Sequence, residues 1–128
     1  MKYVISGSRR ITDYQIVVAA MEQAIKTFGE WPSLIIEGGQ RTRNEHDIIV
    51  GGVDYLASIW AVLNGVRLET CQSNWAKYKL AAGPIRNRKM ATMGDVLVAI
   101  PDAQSKGTRD MINAMRELEK PVFILKSK

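Results

Sequence analysis

Val96-Leu97-Val98-Ala99-Ile100, followed by Ser105-Lys106-Gly107-Thr108, and Tyr3-Val4-Ile5, followed by Gly7-Ser8-Arg9-Arg10, are the stretches that decide the fold. In each, a short apolar run gives way to a small-residue, basic turn and then to a helix-like pattern. A strand that feeds a helix through such a turn leaves backbone amides and a helix N-terminus free to hold a phosphate. Working outward, similar apolar runs bounded by Gly, Pro or polar turns place strands at residues 2–6, 33–37, 66–70, 95–100 and 121–125. Between them the apolar period changes to that of a helix. Val17, Met21, Ala24 and Phe28 line one face from Asp13 to Phe28, and Thr12 with Gln15 is spaced as a capping box. Val53, Leu56, Ala57, Trp60 and Ala61 give a second helix, closed by Asn64-Gly65. Pro84 suits the first turn of a third that reaches about Met93, and Met111, Ile112, Met115 and Leu118 stripe a fourth.

Strands that alternate with helices, and that are too apolar for one face to be wet, imply an α/β fold: a Rossmann-like, doubly wound parallel sheet of about five strands with helices on both faces. Right-handed crossovers reduce the topologies to a few, of which the strand order 3-2-1-4-5 is expected. In that order the winding reverses between the first and fourth strands, and a crevice opens there at the carboxyl ends. Arg9, Arg10, Arg41, Arg43, Lys77, Lys79, Arg86, Arg88, Lys89, Lys106 and Arg109 all follow a strand's carboxyl end. Most of the 18 Lys and Arg residues, in a chain of net charge +5, should therefore make one rim electropositive.

The 128 residues, 46% hydrophobic and 24% charged, are expected to form a single domain over residues 1–128. The chain enters a strand pattern at once, with no charged leader and no apolar run of membrane-spanning length, so a cytoplasmic protein without membrane contact is expected. Cys71, the single cysteine, rules out an internal disulfide and a cysteine metal cluster within one chain. Neither G-x-G-x-x-G nor a Walker A motif occurs, which argues against a dehydrogenase and a P-loop hydrolase. His46 is the lone histidine, so no Ser/His/Asp arrangement can be built. Asn44-Glu45-His46-Asp47 reads as a solvated loop because no second group of ligands accompanies it; no metal and no cofactor are expected.

Several blocks together carry a family resemblance: Ile5-Ser6-Gly7-Ser8-Arg9, Glu37-Gly38-Gly39, Gly52-Val53-Asp54, Ala82-Gly83-Pro84-Ile85-Arg86-Asn87-Arg88-Lys89-Met90, Asp95-Val96-Leu97-Val98-Ala99 and Gly107-Thr108. In this order the chain resembles the YspA-like, DUF2493 branch of the SLOG superfamily, over almost its whole length. The resemblance implies a Rossmann-like fold with a nucleotide or nucleotide-derived ligand over the carboxyl edge of the sheet. It places Gly7, Ser8 and Arg9 in the first ligand loop and Gly38 and Gly39 in a second glycine turn, with Arg9 offering a planar fork to phosphate. Asp54 would cap free amides or accept a ribose hydroxyl. Arg86 would grip phosphate or polarise a ribosyl oxygen, and Asn87 would read a base edge or sugar hydroxyl. Lys106, Gly107 and Thr108 would close on phosphate from the opposite side, with Thr108 also able to cap the fourth helix. Family relatives often associate, so a homo-oligomer is expected.

Two departures from the superfamily shape the functional reading. LOG phosphoribohydrolases carry Pro-Gly-Gly-x-Gly-Thr-x-x-Glu at their catalytic turn, whereas here Met111 stands in the glutamate's place. A thioether transfers no proton, and Asp110, one residue earlier, is rotated by about 100° around the helix and should point elsewhere. The other departure is the inserted loop at about 40–51, expected to fold over the ligand as a lid with Arg41 or Arg43 adding charge.

Three functions are carried forward, with no catalytic residue assigned. The leading one is a sensor or sequestering protein for an ADP-ribose-type or cyclic nucleotide signal. The alternative is a hydrolase or transferase acting at an N-glycosidic or phosphate bond through Glu37 or Asp54 with Arg86, although Glu37 is expected to pair with a rim arginine. The third is single-stranded nucleic-acid binding, drawn from the basic charge, the kinship with DprA proteins and the patch Trp75-Ala76-Lys77-Tyr78-Lys79.

Overall fold

A computed structural model describes residues 1–125. Its elements are β1 (Lys2–Gly7), α1 (Tyr14–Phe28), β2 (Leu34–Glu37), β3 (Thr42–Arg43), β4 (Ile49–Gly51), α2 (Val53–Leu63), β5 (Arg67–Thr70), α3 (Trp75–Tyr78), a 3-10 turn (Lys79–Ala81), α4 (Ala82–Met93), β6 (Val96–Ile100), α5 (Lys106–Glu117) and β7 (Val122–Ile124). The main sheet runs β5-β2-β1-β6-β7 and every pairing in it is parallel. Once the two short strands β3 and β4 are set aside, this is the expected order 3-2-1-4-5 of a Rossmann-like sheet.

Alternation along the strands sorts the core into two layers. Tyr3, Ile5, Ile35, Val96, Val98 and Ile100 face α1 and α2, where Val17, Met21, Leu56 and Trp60 cover them. Val4, Ile36, Leu97 and Ala99 face the other way, onto Met90 and Ala91 of α4 and Met111 and Met115 of α5. Burying both faces of β1 and β6 fixes their register, because a one-residue slip would exchange the two layers. Gly7 closes this arrangement: a Cβ there would meet the Ile100 carbonyl at 2.5 Å and Val53 Cγ2 at 2.6 Å, so only glycine lets α2 start against the end of β1.

Local details differ from the sequence expectation. Asp13, not Thr12, caps α1, its carboxylate accepting the Gln15 amide at 2.9 Å. The Asx geometry wins because a carboxylate reaches the amide two residues on and favours the positive helix end. All four residues of β5 are exposed, so the outer edge of the sheet is wet, contrary to the uniformly buried sheet inferred from composition. The helix with Pro84 begins two residues earlier, at Ala82, with the proline still inside its first turn. The segment after the glycine pair forms an antiparallel hairpin, β3 with β4. Asn44 turns it by accepting the amides of His46 (2.9 Å) and Ile48 (3.1 Å) through Oδ1, while Asp47 takes up a φ of 61°. No helix among the described residues is long and apolar enough to cross a membrane.

Candidate functional site

Because β1 and β6 are neighbours, the loops that leave their carboxyl ends border one cleft of about 590 Å³. The two loops are clamped together. Ser8 donates its amide to the Ile100 carbonyl at 2.9 Å and its hydroxyl to Asp102 Oδ2 at 2.5 Å, and Arg10 Nη1 donates to the same oxygen at 2.9 Å. The other oxygen of Asp102 accepts the Gln104 amide and the Ser105 hydroxyl, both at 2.8 Å. This set of donors, led by Ser8, holds the Asp102 carboxyl well below the usual carboxylate range.

The clamp has a consequence for α5. Ser105 occupies the N-cap position, yet its hydroxyl is committed to Asp102 and makes no capping bond. Lys106 N–H donates to the Gln104 carbonyl, and the next two amides, of Gly107 and Thr108, meet no acceptor among the described residues. Thr108, expected as a cap, is instead a buried residue of the first turn of α5. Two uncapped amides at a helix N-terminus therefore point their partial positive charge at the cleft. Arg9 and Lys106, on opposite lips, form no ion pair among the described residues.

The opposite wall comes from α2 and α4. Arg86 Nη1 donates to the Gly38 carbonyl at 2.5 Å and Nε donates to Asn87 Oδ1 at 3.0 Å. Asn87, 3% exposed, donates through Nδ2 to the Gly107 carbonyl (3.2 Å) and to Asp110 Oδ2 (2.9 Å). Its polar atoms thus tie α4 to the start of α5. Asp110 lines the cleft after all: the rotation expected to turn it away is offset by its position one turn into a helix whose N-terminus faces the cavity. Met111 beside it is fully buried in the second core layer.

Asp54, 6% exposed, sits in the first turn of α2 and accepts the Gln40 amide at 3.1 Å. Burial, reinforced by the negative charge of Glu37, raises its pKa to about 6 against the pull of that amide, Arg86 and Arg41. Glu37 itself is fully buried and fully engaged. It accepts two bonds from Arg41 (3.0 and 3.2 Å), one from the Gly39 amide and one from Thr70 Oγ1. The expected pairing with a rim arginine is thus with Arg41, whose guanidinium also lies over the Tyr55 ring at 5.5 Å.

Of the residues named from the sequence, Gly7, Ser8, Arg9, Asp54, Arg86, Asn87, Lys106, Gly107 and Thr108 line this one cleft. Gly38 and Gly39 line instead a second cavity of about 340 Å³, which shares Gln40 and Trp75 with the first. Arg41 and Arg43 also belong to the second cavity, so the hairpin does not bring them over the cleft as expected of a lid. It is joined to the cleft through Thr42 Oγ1, which donates to the Arg9 carbonyl at 2.6 Å. Sequence reasoning missed Asp102 and Gln40, and placed Ser105 in the turn without its bond to Asp102. The Asp102-Ala103-Gln104-Ser105 spacing, an Asx turn straight after Pro101, was the available signal for Asp102. Among the described residues no group of three or more His, Cys, Asp or Glu is placed to hold a metal.

Comparison with known proteins gives one family. The model for YAcAr, the YspA, cpYpsA-related SLOG family, matches residues 1–78. No curated protein and no solved structure gives a significant match. The chain belongs to the YspA, cpYpsA-related SLOG family.

Proposed function

We propose that this SLOG-family protein binds the phosphate of a nucleotide or nucleotide-derived molecule in the cleft between the β1 and β6 loops, as a sensor or sequestering protein. The observation that carries the reading is the pair of unsatisfied amides of Gly107 and Thr108, flanked by the unpaired cations Arg9 and Lys106. Water serves the exposed amide of Gly107 and the exposed Arg9 and Lys106 when nothing is bound, and a phosphate can take its place at amides and cations at once. Gly7 and Ser8 supply the opposite lip, and Arg86 and Asn87 hold α4 against α5 around the ligand. An ADP-ribose-type or cyclic nucleotide signal, met in the cytoplasm, is the ligand class of this reading, and binding without cleavage agrees with Met111 standing where the phosphoribohydrolases carry a glutamate. The exposed edge strand β5 with Leu68, beside exposed Val62 and Leu63 at the end of α2, supports the homo-oligomer as part of the proposal.

The test is isothermal titration of the full chain with AMP, ADP-ribose and a cyclic dinucleotide, each against its phosphate-free nucleoside. Binding of a phosphorylated member, no binding of the nucleoside, and a loss of about 10-fold or more in Lys106→Ala and in Arg9→Ala are expected, the size of one charged hydrogen bond. Equal affinity for nucleoside and nucleotide, or wild-type affinity in both variants, would overturn it.

A second reading, a hydrolase or transferase at an N-glycosidic or phosphate bond, is favoured by one observation. Asp54 is a buried carboxylate at the cleft with a pKa near 6, close to what a general acid or base requires. Glu37 drops out as its partner, being sealed behind Arg41. Chromatography of the same incubation mixtures separates the two readings: free base, sugar phosphate, nucleoside with phosphate or an opened dinucleotide marks the enzyme, and unchanged starting ligand marks the binder.

A further inference from the structure

We infer that the second cavity, between the glycine turn after β2 and the start of α3, is the subsite for the heterocyclic base of the bound nucleotide. The inference rests on the reading above, in which the cleft takes the phosphate. The two cavities meet at Gln40 and Trp75, so a single ligand can lie across both.

The second cavity is not a second phosphate site. Its two arginines are already neutralised: Arg41 by the buried Glu37, and Arg43 by Asp47, to whose carbonyl it donates at 3.0 Å and whose carboxylate lies at 3.7 Å. What is left uncommitted is neutral and flat. The Gln72 amide lies directly on the Gly39 backbone, where a Cβ would come within 2.6 Å of it, and Gly39 holds a φ of +80° that only glycine adopts without strain. The Ser73 hydroxyl is buried, lines the cavity and has no hydrogen-bond partner among the described residues. The Trp75 indole forms the shared wall and is 48% exposed. A half-exposed indole can stack on a base, and an unpaired hydroxyl and a primary amide beside it can read the base's edge, because both donate and accept. The polarity thus divides along the ligand, cationic at the phosphate end and neutral and aromatic at the base end.

The experiment compares AMP, GMP, CMP and UMP with ribose 5-phosphate, by calorimetric titration of the full chain and of Trp75→Ala, Ser73→Ala and Gln72→Leu. Ser73 and Gln72 line only the second cavity, so their variants separate a base held there from one held in the cleft. Trp75 and Gln72 are exposed, and their replacement leaves the core intact. At least one nucleotide should bind more tightly than ribose 5-phosphate. Its affinity should fall about 10-fold in Trp75→Ala, and Gln72→Leu should reorder the four bases, a change that mere loosening of the loop would not produce. Ribose 5-phosphate should bind the parent, Ser73→Ala and Gln72→Leu alike, because neither replaced residue lines the cleft. If it binds through Lys106 but no nucleotide binds more tightly, or if Ser73→Ala and Gln72→Leu leave both affinity and base order unchanged, the subsite is refuted while the phosphate reading stands. If neither ribose 5-phosphate nor any nucleotide binds, both fall.

Discussion

Asp54→Asn should make the protein more stable at neutral pH. The carboxyl of Asp54 titrates near 6 in the folded chain against an ordinary value of 3.8, with burial and then Glu37 as the main causes. Between those two values the folded protein still holds a proton that the unfolded chain has released, so raising the pH through this window lowers stability. The penalty is complete above about 6. It grows from about 1 kcal/mol at pH 4.5 to roughly 3 kcal/mol at pH 7, because each pH unit crossed between the two values costs ~1.4 kcal/mol. Asparagine keeps an oxygen for the Gln40 amide and cannot ionise, so the variant escapes the penalty. Urea unfolding of both proteins at several pH values between about 4 and 7 reads the difference directly, and cancels the titration of groups remote from Asp54. A stabilisation that widens as pH rises is the expected result. A variant no more stable than the parent at pH 7 would refute the reasoning, because it would mean that Arg86 and Arg41 outweigh burial. A carboxylate retained at such a cost beside a cleft is the kind of local conflict that function explains.

Other outcomes follow from the same geometry. Gly38→Ala drives a Cβ into the Arg86 guanidinium and to 3.0 Å from Asp54 Oδ2, so it should cost about 1–3 kcal/mol; an unchanged thermal midpoint would count against the close approach. Asp102→Asn removes the charge that Ser8, Ser105 and Arg10 share, and the Asp102 pKa is lowered in the folded state. The parent's advantage over this variant should therefore be full at neutral pH, begin to shrink as pH falls through the ordinary carboxylate value and disappear only toward the lowered folded-state one, whereas a gap independent of pH would contradict it. Burial pushes the Cys71 thiol above its usual value, so Ellman's reagent should leave it unmodified in the folded protein at pH 8 and react promptly once denaturant is added.

The strand order, the layering of Val4 against Ile5 and of Leu97 against Val98, and the meeting of the two phosphate-type loops are legible in the sequence because they depend on period and chirality alone. What escapes it is set by pairings between distant residues. Nothing in the local sequence of Ser105 tells that its hydroxyl turns back to Asp102, nor that Ser8 reaches the same carboxylate from the other strand. The hairpin is hidden because Thr42-Arg43 is too short to show a period, although Asn44 and Asp47 are sound turn residues. Leu68 makes β5 read as buried, yet as an edge strand with a single neighbour it stays wet. Asn87 reads as a free contact for ligand and is instead held by Arg86, Gly107 and Asp110, contacts that only the packing of α4 on α5 creates.

The central claim is that a phosphate sits on the first-turn amides of α5. The direct measurement is the backbone amide spectrum of the isotopically labelled protein, with resonances assigned, during titration with AMP. The Gly107 and Thr108 signals should move downfield and saturate together, with Arg9 following the same binding curve. Saturable binding elsewhere in the protein, with Gly107 and Thr108 unmoved, would contradict the account.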